Sequence, residues 1–573
     1  MTVTDEITFA VASIRQAPTA AIAQVLPKHY LCTSNCEEDI DLGLFFDGTR
    51  NNMYEDKPSL KHSNIARLHD AYLEDPPLGA RRVYINGVGT PFPEIGELSY
   101  SNMGNGFGSG CEARVLYGLL AVFNTIHARA YDDQPFFRKE QVKALCRNSF
   151  HVSDPSDLQE LKKLGITEGL LMSHGGLSPR EEFLKRQANF LEKKLSTHGK
   201  PDIKECFIDV FGFSRGAAEA RVFCQWLDKL LVGGKLAGVI IRFRFVGLID
   251  TVASAGVLGG LAGTIVNSTG GHDGWATAKD LRIPTSVENC VHMVAMHELR
   301  KNFPIDELGV DGVLPPHCQE FVYPGAHSDV GGGYEPGELG ISVGNTLFES
   351  DALKLSQIPL NHMFDCAVAA GAPLDKERAT SDSGHAPFVV SPRVEQAFND
   401  FLTASTMKPR PIHEWLQPYL NWRWQVCKRY EQLAQVQKAN AEDRKLLIDS
   451  NKILMKDADL IGLKGDVSLS QRFLDFIKGQ PGASLKAAEY RQAALSALDP
   501  EAPALLDMAK NAPPTTAAIA ALFDGFVHDS YAGFTPAGLH EATGYWRYRK
   551  GFRGGSEATI ASNDANNQNA ALG

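Results

Sequence analysis

Apolar positions along the chain fall into two regimes. Through roughly the first 335 residues, short and almost uninterrupted apolar runs alternate with stretches of helical spacing. The runs are IDLGLFFDGT at 40–49, RRVYINGVGT at 81–90, CFIDVFGF at 206–213, GVIIRFRFVGLID at 238–250, NCVHMVAM at 289–296 and QEFVYPG at 319–325. Apolar runs with little polar alternation, closed by Gly, Asp or Pro, read as strands buried on both faces. Between them, 111–132 carries apolar residues at helical spacing and 180–198 forms a charged amphipathic helix. Such strands separated by helices predict a mostly parallel sheet covered on both sides, an α/β fold. Arg-Phe-Arg-Phe at 242–245 breaks the pattern and predicts one solvated or ion-paired strand face.

From about residue 340 the strand signals nearly vanish, and segments such as 412–463, rich in Ala, Leu, Lys, Glu and Gln, predict helices. The expected organisation is a loose leader over 1–39 with one helix, a sheet-bearing domain over 40–335, a helical module over 336–553 able to supply elements to that domain, and a polar, disordered tail over 554–573. Hydrophobic residues at 43% and charged residues at 22% suffice for a sizeable core and exclude wholesale disorder. Lys and Arg number 57 against 68 Asp and Glu, a net charge of −11 that argues against a nucleic-acid partner held by phosphate contacts. The ten cysteines are scattered, with only Cys32 and Cys36 close together and no second pair to complete a zinc pattern, so reduced thiols and no metal are expected. The first residues carry acids where an export signal carries bases. The longest uncharged stretch, 251–272, is too rich in Gly, Ala, Ser and Thr to span a bilayer, so a soluble protein is expected.

The sharpest chemical signal is Gly212-Phe213-Ser214-Arg215-Gly216, directly after the strand 206–213 and before the helix-forming AAEARVFCQWLDKLL. A nucleophilic serine of the α/β-hydrolase type needs a strained strand-to-helix turn, and glycines permit the close backbone approach there. Ser214 is the expected nucleophile, with the Arg215 amide aimed at a developing oxyanion. A serine hydroxyl needs an imidazole to take its proton and a carboxylate to orient that imidazole. Asp250 ends the strand 238–250, and His327 follows the strand 319–325 in PGAHSDVGGGY, which reproduces the chain order Ser, Asp, His. An N-capping role for Asp250 and a structural role for His327 are the plain alternatives, and His292, His297 and above all His528 in FVHDSYAGF rival His327. Asp329 is a second possible carboxylate. The turn Phe46-Asp47-Gly48-Thr49 offers the amides of Gly48 and Thr49 as further oxyanion donors, or is an ordinary Asp-Gly turn. The glycine-rich Asn105–Gly110 lacks a phosphate-loop lysine and reads as a backbone loop near the cleft.

Taken together, FFDGTRNN, YINGVGT, VFGFSRGAAEAR, VGLIDTVAS, MHELRKNF and YPGAHSDVGGGY resemble the hydrolase domain of the first family of type VI secretion lipase effectors. The resemblance runs from about 40 to 335, with weaker echoes at FVHDSYAGF and GYWRYRKGF. It implies an α/β-hydrolase joined to a helical, membrane-associating module, and an antibacterial phospholipase of the A type carrying its nucleophile at Ser214, its histidine at His327 and its acid at Asp250. It also implies delivery from the producing cytoplasm, without a signal peptide, into a target cell's periplasm by a spike or tube protein, membrane phospholipid as substrate, and an immunity protein in the producer. No cofactor is implied, and a calcium requirement is left open. Asn86 and His297 depart from the family pattern. A lipid substrate requires apolar surface at the cleft, and Leu258 and Leu261, in the uncharged segment after Asp250, are the lid or membrane-contact candidates. The other readings are a soluble carboxylesterase or thioesterase, and a catalytically idle delivery or structural protein of the secretion apparatus.

Overall fold

A computed structural model of the protein describes residues 8–11, 37–100, 110–147, 154–166, 177–198, 202–252, 279–300, 303–310, 313–405, 410–465, 501–534, 544–547, 549 and 551–552. The tail 554–573, the loop 105–109, most of the leader, and Leu258 and Leu261 lie outside these residues.

The strands, in chain order, are β1 (Thr8–Val11), β2 (Glu37–Phe46), β3 (Ala80–Ile85), β4 (Asp202–Phe213), β5 (Lys235–Leu236), β6 (Val239–Ile249), β7 (Cys290–Ala295), β8 (Ile305–Asp306), β9 (Cys318–Tyr323), β10 (Arg410–Pro411) and β11 (Gly551–Phe552). Eight of them run in the order β10-β1-β9-β7-β6-β4-β2-β3, with β5 hairpinned onto β6. Every pairing from β1 to β3 along that path is parallel, while β10 and β5 pair antiparallel at the margins. Five of the six apolar runs are thus inner strands, whose two buried faces leave little polar alternation for a sequence pattern to show, and the sixth, β3, is an edge strand.

Side-chain alternation sorts the two faces. Phe45, Phe211 and Phe245 point to one side, with Phe45 stacked on Phe211 at 5.0 Å and Phe211 lying 5.6 Å from Phe245. Leu44, Phe46, Val210 and Val246 point to the other, where the helices Cys111–Ala130, Ser178–His198 and Arg215–Leu230 cover them. The Arg-Phe-Arg-Phe strand is ion-paired: Arg242 reaches Glu288 at 2.7 Å, and the buried Arg244 bridges Asp41 and Asp209 at 2.8 and 2.5 Å.

One expectation about organisation needs correction. Thr8–Val11, read as part of a loose leader, is a strand wedged between β9 and β10, and β2 begins at Glu37. The helical region packs onto the sheet. One continuous cluster joins Phe45, Phe211 and Met293 to Met363, Phe401, Trp415, Phe523 and Trp546. Four residues of β1 and two each of β8, β10 and β11 are too short to leave a periodic signal, and their pairing is supplied by distant chain. No helix among the described residues is long and apolar enough to cross a membrane.

Candidate active site

Strand β4 runs into the helix Arg215–Leu230 through a single residue, Ser214, held at φ 58° and ψ −126°. A side chain in that conformation is strained by roughly 1–3 kcal/mol and persists only where surrounding bonds over-determine it. Those bonds are present: the Ser214 amide donates to the Ile249 carbonyl at 2.9 Å, and its own carbonyl accepts from Val252 and Ala217 at 3.2 and 3.1 Å. The flanking glycines are required by space. A Cβ on Gly212 would stand 2.6 Å from the Ala217 Cα, and one on Gly216 would collide with the Phe46 and Asp47 carbonyls. The turn can therefore form only with backbone packed directly on backbone.

Asp250 follows β6 at the same edge of the sheet, also at positive φ, 46°. Its carboxylate is fully buried and accepts four hydrogen bonds. Oδ1 takes the Ala295 amide at 2.8 Å and an Arg549 guanidinium nitrogen at 2.6 Å; Oδ2 takes His327 Nδ1 at 2.5 Å and the other Arg549 nitrogen at 2.8 Å. Burial by itself would raise the carboxyl pKa. The Arg549 charge, with the His327 hydrogen bond, outweighs burial and holds Asp250 well below the usual carboxylate range.

His327 opens the short helix His327–Gly331 past β9. Its ring stacks on Phe213, the residue before Ser214, at 4.6 Å, and meets the edge of Phe303 at 4.9 Å. Its amide donates to Glu298 Oε2 at 3.2 Å. Burial depresses the imidazole below its ordinary value against the opposing pull of Asp250, so the neutral form is favoured at neutral pH. Glu298 is pinned by Arg300, which lies over the Phe303 ring at 3.7 Å and drops the carboxyl to about 2 despite complete burial.

The other histidines have partners of their own. His528 donates or accepts at Asp329 Oδ1, 2.6 Å away, and stacks on Tyr334 at 3.7 Å; Asp329 Oδ2 accepts the amides of Ala326 and His528. The Asp329–His528 pair thus fastens the His327 helix to the C-terminal region. His292 is bound to Glu320 at 2.9 Å and to Thr251 at 3.1 Å. His297 lies among Phe401, Tyr419 and Phe523, its pKa pushed down to about 3 by burial. Asn86 braces a turn through Pro91.

In the 47–52 turn, one expected oxyanion donor is redirected. The Gly48 amide donates to Asp47 Oδ1 at 2.7 Å, and Asp47 also takes Ser63 at 2.6 Å and Tyr84 at 2.5 Å. Burial lifts this carboxyl to about 6. Thr49 instead faces the elbow, its hydroxyl accepting from Arg215 Nε at 2.5 Å. Among the described residues no group of three or more Cys, His, Asp or Glu side chains is placed to hold a metal ion.

Sequence reasoning missed Arg549, Glu298 and Phe303 as parts of this site. Their signals were present as the blocks MHELRKNF and GYWRYRKGF, but no local pattern links position 549 to position 250.

A parallel sheet with a serine raised on a strand-to-helix elbow defines the class of the fold, an α/β-hydrolase. The profile of the type VI secretion system phospholipase effectors, Tle1-like catalytic domain, matches residues 41–233 and 231–366. That is more than half of the chain, and the chain belongs to this family of lipolytic hydrolases. Among solved structures, an uncharacterized protein from Pseudomonas aeruginosa is similar in fold, with TM-score 0.65, 24% identity, and coverage of 96% of this chain and 85% of that one. The Tle1 effector bound to the VgrG spike of the type VI secretion system aligns at TM-score 0.33 and 17% identity over 70% of this chain and 85% of that one. No curated protein matches the chain.

Proposed function

We propose that the protein is an antibacterial phospholipase of the A type that hydrolyses glycerophospholipid acyl esters through an acyl-enzyme on Ser214. The observation that carries this reading is the strained Ser214 at the sheet edge where a His327 ring stacks on the preceding Phe213 and bonds to the buried Asp250. His327 takes the serine proton as Ser214 attacks the ester carbonyl and returns it to the leaving alcohol; water then repeats the cycle on the acyl-enzyme. Asp250 holds the imidazole with Nδ1 as the donor, leaving Nε2 to accept. The amides of Arg215 and Thr49 stabilise the oxyanion, while Gly48 orders the turn through Asp47. This chemistry needs no cofactor.

Family membership and the lipid substrate support delivery into the periplasm of a target cell by a secretion spike or tube protein, with an immunity protein protecting the producer. The described rim also suits a lipid surface. Tyr54, Leu98 and Tyr100 are 68%, 76% and 57% exposed; Tyr54 follows the 47–52 turn, and the Tyr100 hydroxyl donates to Glu55 of the same short helix. Exposed tyrosines and leucines suit the headgroup boundary of a bilayer. Tyr54→Asp with Leu98→Asp should weaken sedimentation with phosphatidylethanolamine–phosphatidylglycerol vesicles and slow vesicle hydrolysis about tenfold, with a short soluble ester still cleaved at the parent rate. Equal loss on both substrates would remove this surface from the proposal.

The test of the function is product analysis on a phospholipid panel. Release of fatty acid with lysophospholipid supports the proposal; turnover confined to short esters or thioesters favours the soluble esterase reading, and no turnover an idle fold. In the same assay His327→Ala should be inactive. His528→Ala removes a helix fastening, costs about 1–3 kcal/mol of stability and keeps kcat within about tenfold of the parent. The reverse outcome would transfer the base to His528.

A further inference from the structure

The acid of the proposed triad is held by a residue 299 positions away in sequence, and the way it is held goes beyond a stray ion pair. An ionised carboxylate offers about four lone-pair directions. At Asp250 all four are occupied, one by the Ala295 amide, one by His327 and two by the fork of Arg549. The guanidinium is planar and rigid, so a bidentate grip fixes the carboxylate plane as well as its place. Arg549 is itself set by the chain that walls His327. Its Nε donates to the Phe303 carbonyl at 2.5 Å, the Phe303 ring lies against His327, and β11 pairs with β8 two residues beyond. Both side chains are buried, which strengthens their interaction.

We propose that Arg549 is a positioning residue of the active site, which orients the Asp250 carboxylate toward His327 Nδ1 and tunes the basicity of that imidazole, so that the C-terminal segment completes the hydrolase. The proposal rests on the roles assigned above to Asp250 and His327. The tuning follows from charge. Asp250 stabilises the imidazolium that forms during reaction, and a cation on the same carboxylate offsets part of that pull, keeping the resting imidazole neutral. Among the described residues the other charged groups acting on His327 are Glu298 and Arg300 on the segment after β7, while Asp329 of its own helix is engaged by His528 and Arg215 at the elbow by Thr49. None of these bonds to Asp250, so a change at position 549 acts on His327 chiefly through the acid, with lesser routes through the Phe303 carbonyl and the charge of Glu298.

The experiment uses the full chain and a short-chain diacyl phospholipid below its micelle concentration, with kcat/KM measured across pH for the parent, Arg549→Lys, Arg549→Met and Asp250→Asn. For Arg549→Met, kcat should fall on the order of 100-fold with KM little changed, because the imidazole loses its aligned partner. The acid limb of kcat/KM should also move to higher pH by about one unit, since removing a cation raises the pKa of the imidazole. Arg549→Lys restores the charge without the fork; its acid limb should stay with the parent and its kcat should recover in part. Arg549→Met within about threefold of the parent in kcat, with an unmoved acid limb, would overturn the proposal, since near-attack geometry would then be independent of the fork. A lower melting temperature with no kinetic change would do the same. If Arg549→Met does not fold, Arg549→Lys decides: a folded protein with reduced kcat supports the fork, and full parental kcat overturns it. An active Asp250→Asn would instead show that the acid itself had been misassigned, a failure separate from that of Arg549.

Discussion

Ser214→Ala should leave a folded protein that neither reacts with a fluorophosphonate probe nor hydrolyses phospholipid. The side chain loses one oxygen, and the backbone that holds the turn is bonded through Ile249, Val252 and Ala217 atoms that the substitution does not touch. Circular dichroism and thermal stability should therefore match the parent, or rise slightly if the strained turn relaxes. The expected loss in kcat is roughly 10⁶-fold, with a residue of rate enhancement of about 10³ from the oxyanion donors and substrate binding alone. Residual hydrolysis above about 1% of the parent would place the nucleophile elsewhere, because an acyl-enzyme route cannot retain so much without its oxygen.

Asp250→Asn carries the second large effect, and it acts twice. The amide keeps the shape of the side chain but presents an NH₂ donor where His327 Nδ1 needs an acceptor, so the imidazole is driven toward the tautomer that cannot take the Ser214 proton; kcat should fall roughly 10⁴-fold. The buried Arg549 then loses its counter-charge, and leaving one ion of a buried pair alone costs about 3–5 kcal/mol. Denaturant titration should show that loss, and the double variant Asp250→Asn with Arg549→Met should regain part of the stability while staying inactive. In the parent, His327 is depressed by burial and gains its charge only on acidification, so the acid limb of kcat/KM should lie below the ordinary imidazole value of 6.5. An acid limb above that value would mean that Asp250 dominates burial in setting the imidazole.

The parts of the site that lie at strand ends were legible. Six apolar runs became six strands of one sheet, five inner and one at its edge, and Gly-Phe-Ser-Arg-Gly could be read as an elbow because a glycine on each side of a serine is a local steric necessity, visible wherever the backbone must touch backbone. His327 and Asp250 were reachable because a parallel sheet brings the carboxyl ends of all its strands to one edge, whatever lies between them in sequence. The Gly48 amide was misjudged for a reason equally local: a turn sequence shows which donors are near but not which carboxylate has already taken them, and Asp47 had.

Strand order, the burial of Asp250 and the grip of Arg549 belong to another level. Periodicity reports how a segment divides between water and core, and this determined an α/β sheet from the chain alone. It carries no information about which distant segment fills the remaining space. The four-residue β1, the helical wall over Phe45 and Phe211, and the grip of Arg549 were decided only in three dimensions, where the buried carboxylate's need for partners had to be met by whatever the fold brought within hydrogen-bonding reach.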